Sequence, residues 1–213
     1  MTAIIDYGVG NLFSLESSFN AIGEKVVVTK DIDVIRNADR VILPGVGAFP
    51  DAVKKLRESG LFDEVISLAH SGKPFLGICL GMQMLFNKSY EYGECEGLGL
   101  VDGEIVPFEG NIPAEYKIPH IGWNKLKIVK KDCPIFKYIN EGDYVYFVHS
   151  FYAANCDDSL AATSDYTMDF TAVVNYKNVY GCQFHPEKSG EVGLNILRGF
   201  CEIGEISCLF YLQ

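Results

Sequence analysis

The stretch Phe75-Leu76-Gly77-Ile78-Cys79-Leu80-Gly81 joins a short apolar run to a cysteine that stands between two glycines. The apolar run predicts a buried β-strand, and the spacing of Met82, Leu85 and Phe86 predicts a helix directly after it. Glycines on both sides of Cys79 let backbone segments approach closely at a sharp turn. This arrangement is typical of a nucleophile elbow, with Cys in place of Ser. Cys79 is therefore expected at the carboxyl end of a parallel strand, where the following helix N-terminus stabilises a thiolate.

The same alternation of short apolar runs and helical patterns extends outward through the first half of the chain. Strands are predicted at 3–5, 26–28 and 41–43, and helices at 12–22 and 62–69. The second half is rich in strands, with a helical pattern returning at 192–203; its predicted strands are 101–106, 125–129, 144–148, 160–162, 171–175 and 180–184. We predict an α/β fold with a mostly parallel central sheet flanked by helices and with antiparallel strands added to one side by the second half.

The composition limits the possible partners and compartments. A length of 213 residues fits one domain. With a net charge of −10 and no Lys/Arg run longer than two, the chain lacks the basic patch that nucleic acid or an anionic membrane requires. No apolar run of about 18 residues is present to span a membrane. The start lacks the features of a signal peptide, and the seven cysteines form no C-x-x-C pair, so we expect a cytoplasmic protein.

Metal and phosphate sites lack their usual spacing. There is no H-x-x-x-H, H-E-x-x-H or carboxylate cluster, so we predict no metal and no cofactor. The segment Gly8-Val9-Gly10-Asn11 has no third glycine, since Ser14 occupies that position of a dinucleotide fingerprint. Among the histidines outside the H-P-E motif, His70 is predicted at a helix end. His120 and His149 are predicted in turns between strands and remain competing candidates.

A base and an orienting group for Cys79 are offered by His185-Pro186-Glu187, which follows the predicted strand 180–184. In an extended segment, residues i and i+2 point the same way, and Pro186 stiffens the position between them. Glu187 is therefore expected to align the imidazole of His185 while the other ring nitrogen faces Cys79. A nucleophile, a base and an orienting group together activate a thiol.

A candidate oxyanion hole lies in the glycine-rich loop 44–49, directly after a predicted strand. Glycines free the backbone of Gly45, Val46 and Gly47 to present N–H groups, which a tetrahedral oxyanion requires. The N–H of Leu80, just after the nucleophile, is the second expected donor. Because glycines flank Val46, a peptide of this loop is also expected to flip between a carbonyl-in and an N–H-in orientation.

Six motifs together resemble a known family: DYGVGNL at 6–12, PGVGAF at 44–49, GICLGMQ at 77–83, PHIGWN at 119–124, YFVHSFY at 146–152 and GCQFHPEKS at 181–189. They resemble the class I, triad-type glutamine amidotransferases, within them the branch that serves histidine biosynthesis. The resemblance implies a flavodoxin-like fold for a single amidotransferase domain at 1–203. Residues 204–213 form an unmatched apolar tail.

The resemblance implies a triad of Cys79, His185 and Glu187, and an oxyanion strand at 45–47. It implies that L-glutamine is held by Gly47, Gln83, Ser150 and Phe151. Three further positions, Asn11, Trp123 and Lys188, match residues that face a partner in the family. That partner is a (β/α)8-barrel cyclase subunit, which forms a heterodimer with the glutaminase, receives ammonia through a channel and makes imidazole glycerol phosphate and an aminoimidazole carboxamide ribotide.

Two alternatives stay open at this point. One is a paralogous amidotransferase subunit that supplies ammonia to a sugar-amidating or other synthase. A chorismate-using partner is disfavoured, because its branch has G-H-Q where this chain has Gly81-Met82-Gln83. The other is a non-enzymatic interaction subunit on the same fold, against which the complete Cys, His and Glu set argues.

Overall fold

An eight-stranded sheet forms the centre of the computed structural model, which describes residues 1–204. Five parallel strands occupy one side, in the spatial order β2 (Val26–Thr29), β1 (Thr2–Ile5), β3 (Arg40–Leu43), β4 (Phe75–Ile78) and β14 (Val179–Cys182). The sheet continues with three antiparallel strands, β13 (Asp169–Tyr176), β12 (Leu160–Asp165) and β9 (Lys127–Ile128). Strands β1, β3, β4 and β14 are buried along their whole length, as parallel strands covered on both faces are.

Helices cover both faces of this sheet; they are α1 (Leu12–Ala21), α2 (Ile32–Asn37), α3 (Phe49–Glu58), α4 (Phe62–His70), α5 (Leu80–Met84) and α6 (Gly190–Cys201). Ala3 and Ile5 of β1 share a core with α2, α3 and α4. Ile4, between them, belongs to the core formed with α1 and α6. Successive residues of a strand point to opposite faces, so a four-residue apolar run supplies both cores. None of the helices within residues 1–204 is long and apolar enough to cross a membrane.

Within residues 1–204, six further strands lie outside the central sheet. A four-stranded sheet has the order β11 (Phe151–Ala154), β7 (Val101–Pro107), β5 (Phe86–Ser89) and β6 (Cys95–Glu96). Strands β8 (His120–Lys125) and β10 (Tyr144–His149) form a separate antiparallel pair. Short 3-10 turns occur at Pro134–Phe136, Asp157–Ser159 and Pro186–Lys188. The β8–β10 pair and the turn at 186–188 border the candidate site.

The predicted fold class is confirmed, but several details of the prediction are wrong. Phe86 begins β5 instead of extending the helix, which ends at Met84. The second half does not add strands to one side only, because β7 and β11 form a second sheet with β5 and β6. His120 and His149 lie in paired strands and not in turns. Of the tail predicted at 204–213, all but Gly204 lies outside the described residues.

Candidate active site

The turn from β4 to α5 has the geometry of a nucleophile elbow. Cys79 has a φ of 54° and a ψ of −111°, a backbone conformation that is uncommon for a residue with a side chain. Its N–H donates to the carbonyl of Cys182 in β14, and its side chain is 7% exposed. Both flanking glycines are required, because a Cβ on Gly77 would lie 2.6 Å from the Gly81 carbonyl oxygen, and one on Gly81 would lie 1.9 Å from that of Leu43.

Replacing Gly81 with Ala is therefore expected to lower the free energy of unfolding by about 1–3 kcal/mol, the usual cost of forcing an extra group into a packed interior. The matched control is Gly122→Ala, because a Cβ there meets only a side-chain atom at 3.8 Å. Chemical denaturation of both variants checks the prediction. Equal stabilities of the two would show that the elbow tolerates a side chain.

The catalytic base candidate is held in place from three directions. His185 is 2% exposed, and its backbone N–H donates to the Tyr146 carbonyl in β10. Its Nδ1 lies 2.8 Å from Oε1 of Glu187, whose side chain is 1% exposed. The hydroxyl of Ser189 donates to the His185 carbonyl at 2.7 Å. His185 has extended backbone angles, but Pro186 and Glu187 already belong to a 3-10 turn, so the expected side-chain alignment arises from a turn.

The electrostatic environment favours the charged form of His185. Burial alone lowers the pKa of an imidazole, but here hydrogen bonds and charges from Cys79 and Glu187 outweigh it and raise the pKa of His185. The second oxygen of Glu187, Oε2, is buried and accepts no hydrogen bond within the described residues. The hydrogen bond from His185 to Oε1 is thus the main interaction that compensates the negative charge of the Glu187 carboxylate. An imidazolium held by a buried carboxylate is suited to donate a proton to a leaving group.

The candidate oxyanion strand is present next to the elbow, in a conformation that blocks one donor. The Leu80 N–H donates to the carbonyl of Gly45 at 3.3 Å. Gly45 is buried, whereas Val46 and Gly47 are exposed and line the same cavity as Cys79. Gly47 has a φ of 94°, which favours glycine. In this conformation a carbonyl, and not an N–H, accompanies Leu80 at the place where an oxyanion would form.

A cavity of about 390 Å³ brings the predicted substrate residues together with Cys79 and His185. Gln83, Ser150 and Phe151 all line it. The two amide protons of Gln83 are both used inside the protein, since Nε2 donates to the Phe151 carbonyl at 3.1 Å and to Oε1 of Gln183 at 3.0 Å. Its own Oε1 is therefore the atom suited to receive a proton from a ligand.

Sequence reasoning missed three residues of this site. Gln183, fully buried in the H-P-E segment, has Nε2 3.9 Å from the Cys79 sulfur. Glu91 lines the cavity, accepts from the Phe49 N–H at 2.7 Å, and has its pKa raised by burial. Tyr7 donates to the Pro44 carbonyl at 2.8 Å and so supports the oxyanion strand. Only the Tyr7 and Gln183 positions lie inside recognisable motifs; Glu91 is in a turn without any sequence signal.

Of the three residues predicted to face a partner, Lys188 lines the cavity, and Trp123 and Asn11 are connected to it through neighbouring residues. The rings of Trp123 and Tyr146 meet with centroids 5.9 Å apart, and Nζ of Lys188 lies 6.0 Å from the Tyr146 ring. Asn11 immediately precedes α1, which contacts the turn that contains Lys188. Trp123 and Ile121 of β8 are 51% and 58% exposed, which leaves an apolar surface beside the site.

The cysteines differ strongly in their environment, which predicts the order of alkylation. Burial raises the pKa of Cys95, Cys133 and Cys156, that of Cys133 to about 11. Cys79 lines the cavity, which makes its sulfur accessible to a small reagent. Iodoacetamide at neutral pH is expected to label Cys79 first when glutamine is absent, because the thiolate is the reacting form. Peptide mapping after partial labelling checks this order, and faster labelling of another described cysteine would contradict it.

Single replacement of Cys95, Cys133 or Cys156 by Ala is expected to leave activity nearly unchanged, since none lies at the elbow. The same is expected of Cys208, which lies outside the described residues. Steady-state assays of the four variants test this. A large loss of turnover without unfolding in any of them would reveal a functional thiol that the geometry does not indicate.

The fold and the site define a class I glutamine amidotransferase. The family model described as "Glutamine amidotransferase class-I" matches residues 3–202, and the chain belongs to this family. Among curated relatives, the chain is 50% identical over 210 residues to imidazole glycerol phosphate synthase subunit HisH of Caldanaerobacter subterraneus subsp. tengcongensis, covering 98% of this chain and all of that one. It is 48% identical over 206 residues to the HisH subunit of Wolinella succinogenes, covering 96% of this chain and all of the relative.

Solved structures share the fold at much lower identity. A crystal structure of a glutamine amidotransferase superposes with a TM-score of 0.73 at 18% identity, covering 94% of this chain and 97% of that one. A structure of PurLQS from Thermotoga maritima gives a TM-score of 0.71 at 19% identity, with the same coverage. The architecture is thus common to amidotransferases, whereas the high identity is to the HisH subunits.

Within residues 1–204, no three His, Cys, Asp or Glu side chains are grouped so as to hold a metal ion. The polar side chains that line the cavity instead carry a thiol, two imidazoles, an amide, a hydroxyl, a carboxylate and an ammonium group. Such groups suit acyl transfer from an amide.

Proposed function

We propose that this chain is the glutaminase subunit of an imidazole glycerol phosphate synthase and hydrolyses the side-chain amide of L-glutamine to glutamate and ammonia. One observation carries the proposal: a strained elbow presents Cys79 in the same cavity as His185, whose other ring nitrogen is held by Glu187. A thiol, a base and an orienting carboxylate are the groups that covalent amide hydrolysis needs.

The reaction follows from these positions. The Cys79 thiolate attacks the side-chain carbonyl carbon of glutamine, and the carbonyl oxygen becomes an oxyanion. His185 then donates a proton to the leaving nitrogen as the C–N bond breaks, which releases ammonia and leaves a thioester. His185 next removes a proton from water, which attacks the thioester and frees glutamate and the thiol. The thioester divides one difficult hydrolysis into two easier steps.

The amino-acid end of glutamine is proposed to bind at the opposite wall of the cavity. The Phe151 carbonyl accepts from Gln83, and although Phe151 stands opposite Pro107 of β7, the hydrogen bond at this point joins the flanking residues, from the Phe108 N–H to the Ser150 carbonyl. The backbone groups of Phe151 therefore point away from β7. Its N–H thus suits the glutamine carboxylate, together with Ser150 and Gly47. Glu91 and Oε1 of Gln83 offer acceptors for the ammonium group.

The partner is proposed to be a (β/α)8-barrel cyclase subunit, in a heterodimer within the cytoplasm. The two curated relatives described above are named as subunits of imidazole glycerol phosphate synthase. The docking surface is proposed to include the exposed Trp123, Asn11 and Lys188, the last of which lines the cavity. Ammonia released into water is protonated and loses its nucleophilicity, so a docked acceptor site is needed to use it. We take residues 1–203 as one amidotransferase domain.

Reconstitution with a cyclase subunit tests this function. The purified chain, the cyclase and both together are assayed for glutamate release and for imidazole glycerol phosphate formation from glutamine. Product formation only with both subunits is expected. Glutamate release without any gain from the cyclase would direct the search to a sugar-amidating synthase, and no release in either case would contradict the glutaminase itself.

A further inference from the structure

Two buried histidines, His120 and His149, take no part in the triad, although His149 is among the residues that line the cavity. They stand opposite each other at the ends of β8 and β10 and are 1% and 6% exposed. Nδ1 of His120 lies 3.1 Å from Nε2 of His149. The aromatic rings of Phe108, Phe147 and Phe170 surround the pair. Water cannot easily replace a lost hydrogen bond there, so the positions of the ring protons matter.

Both outer partners of the pair are acceptors. Nδ1 of His149 lies 2.8 Å from the Phe151 carbonyl, and Nε2 of His120 lies 2.8 Å from Oδ1 of Asn124. The Asn124 amide cannot turn round, because its Nδ2 donates to the Asp165 carbonyl at 2.8 Å. Each outer nitrogen therefore needs a proton, and the inner contact needs one more. The three contacts require three protons, whereas two neutral imidazoles carry two.

The surroundings oppose a third proton. Burial lowers the pKa of His120, and burial together with the charges of His120 and His185 lowers the pKa of His149 to about 3. Tyr166 stacks on His120 with ring centroids 4.1 Å apart, but its hydroxyl donates to the Lys117 carbonyl. Asp165 reaches this network through its backbone carbonyl, and its carboxylate is paired with Lys127. At neutral pH the pair therefore has two protons for three contacts.

We propose that His120 and His149 are positioning residues for the glutamine site, and that Asn124 competes with the Phe151 carbonyl for the protons of the pair. When His149 carries its proton on Nδ1, it holds the carbonyl. When His120 keeps its proton on Nε2 for Asn124 and His149 donates inward from Nε2, the carbonyl loses that donor. A third proton, taken up at low pH, satisfies all three contacts and ends the competition.

The competition reaches the nucleophile through a continuous series of contacts. The carbonyl that His149 holds also accepts from Gln83, Gln83 donates to Gln183, and Gln183 lies against the Cys79 sulfur. At the other end, Asn124 follows Trp123 in β8, next to the exposed apolar surface. The pair thus connects that surface with the wall of the cavity. The consequence for glutamine rests on the proposed function, whereas the proton positions do not.

The proton positions are measured by long-range ¹H–¹⁵N NMR of the full chain labelled at histidine, at neutral pH. In the wild type, Nδ1 of His149 is expected to have a chemical shift between the protonated and unprotonated limits. In Asn124→Ala the competing acceptor is gone, so the shift is expected to move to the protonated limit. A shift that is identical in both proteins would overturn the competition. Asn124 is only half-buried, so this variant is expected to fold.

The positioning role is measured by glutaminase kinetics of the complex with the cyclase subunit. His149→Phe is expected to raise KM for glutamine about tenfold and to change kcat by less than about twofold. His149→Asn restores an N–H donor, so its KM is expected to lie within about threefold of the wild-type value. Asn124→Ala is expected to lower KM about threefold, and the matched control Asn87→Ala, at an exposed position of β5, to leave it unchanged.

An unchanged KM in His149→Phe would overturn the positioning role. If that variant does not fold, the KM of Asn124→Ala decides, and a value equal to that of the wild type overturns the proposal. If the wild-type complex releases no glutamate at all, the proposed function is wrong. The NMR shifts of the histidine ring nitrogens would still show whether Asn124 and the Phe151 carbonyl compete for protons.

Discussion

In a complex with the cyclase subunit, Cys79→Ala abolishes product formation from glutamine and leaves formation from added ammonium salt near the wild-type rate. This is the expected result, because the thiol is the only group at the elbow that can form the thioester, whereas the cyclase consumes ammonia from any source. Loss of a nucleophile that acts together with its base costs on the order of 10⁴-fold or more in turnover. Parallel assays with glutamine and with ammonium salt measure the two activities.

The control for this experiment is Cys95→Ala, which removes a partly buried thiol from β6. It is expected to retain both activities. If Cys79→Ala lost both activities while still binding the cyclase, the division of labour between the subunits would be wrong. If it kept both, Cys79 would not be the nucleophile.

The second large effect concerns the oxyanion strand, and it appears when the chain is assayed alone and then with its partner. The isolated chain is expected to hydrolyse glutamine about 100-fold or more slowly than the complex with an acceptor ligand, the usual effect of one missing oxyanion donor. The physical reason is the hydrogen bond from the Leu80 N–H to the Gly45 carbonyl. Turning the Gly45–Val46 peptide over would release Leu80 and bring in the Val46 N–H.

The flip has a steric cost that a substitution can change. Val46 is not among the residues with positive φ, and inversion of the preceding peptide shifts its φ by about half a turn, into a region unfavourable for a β-branched residue. Holding a side chain there costs about 1–3 kcal/mol. Val46→Gly is therefore expected to raise the turnover of the isolated chain about tenfold.

Val129→Gly, at another exposed valine, is the matched control and is expected to have no effect on turnover. Steady-state glutaminase rates of the isolated variants and of the liganded complexes complete the test. An isolated wild-type chain that is already as fast as the liganded complex would show that the conformation seen here does not limit the reaction. Partner contacts would then have no role in selecting the peptide orientation.

Local chemistry explains why the elbow was predictable. Glycine, a strand and a following helix are all visible in a few consecutive residues around Cys79, and the close approach of Gly77 and Gly81 to neighbouring backbone is a local steric requirement. His185 and Glu187 were also predictable as a pair, because they are only two residues apart. The sequence predicts an extended segment there, whereas the structure aligns the two side chains by a 3-10 turn. The apolar runs also predicted the parallel strands, because burial on both faces leaves a continuous hydrophobic pattern.

Contacts between distant segments were not predictable in this way. Phe86 continues a helical pattern, yet it is in β5 because it pairs with β7, fifteen residues further along the chain. Gln183 and Gln83 are separated by 100 residues and meet only because β14 lies beside β4. The sequence predicts His120 and His149 in turns, but the pairing of β8 with β10 buries them opposite each other.

The sequence by itself therefore determined the α/β class and indicated the candidate nucleophile and the candidate base with its carboxylate, since each depends on neighbours within a few residues. The tertiary structure decided which carbonyl blocks the Leu80 N–H, which amides surround Cys79 and how many protons the histidine pair needs. These features depend on hydrogen-bond partners brought together from separate strands. Their directions are set by strand order and register, which no local pattern encodes.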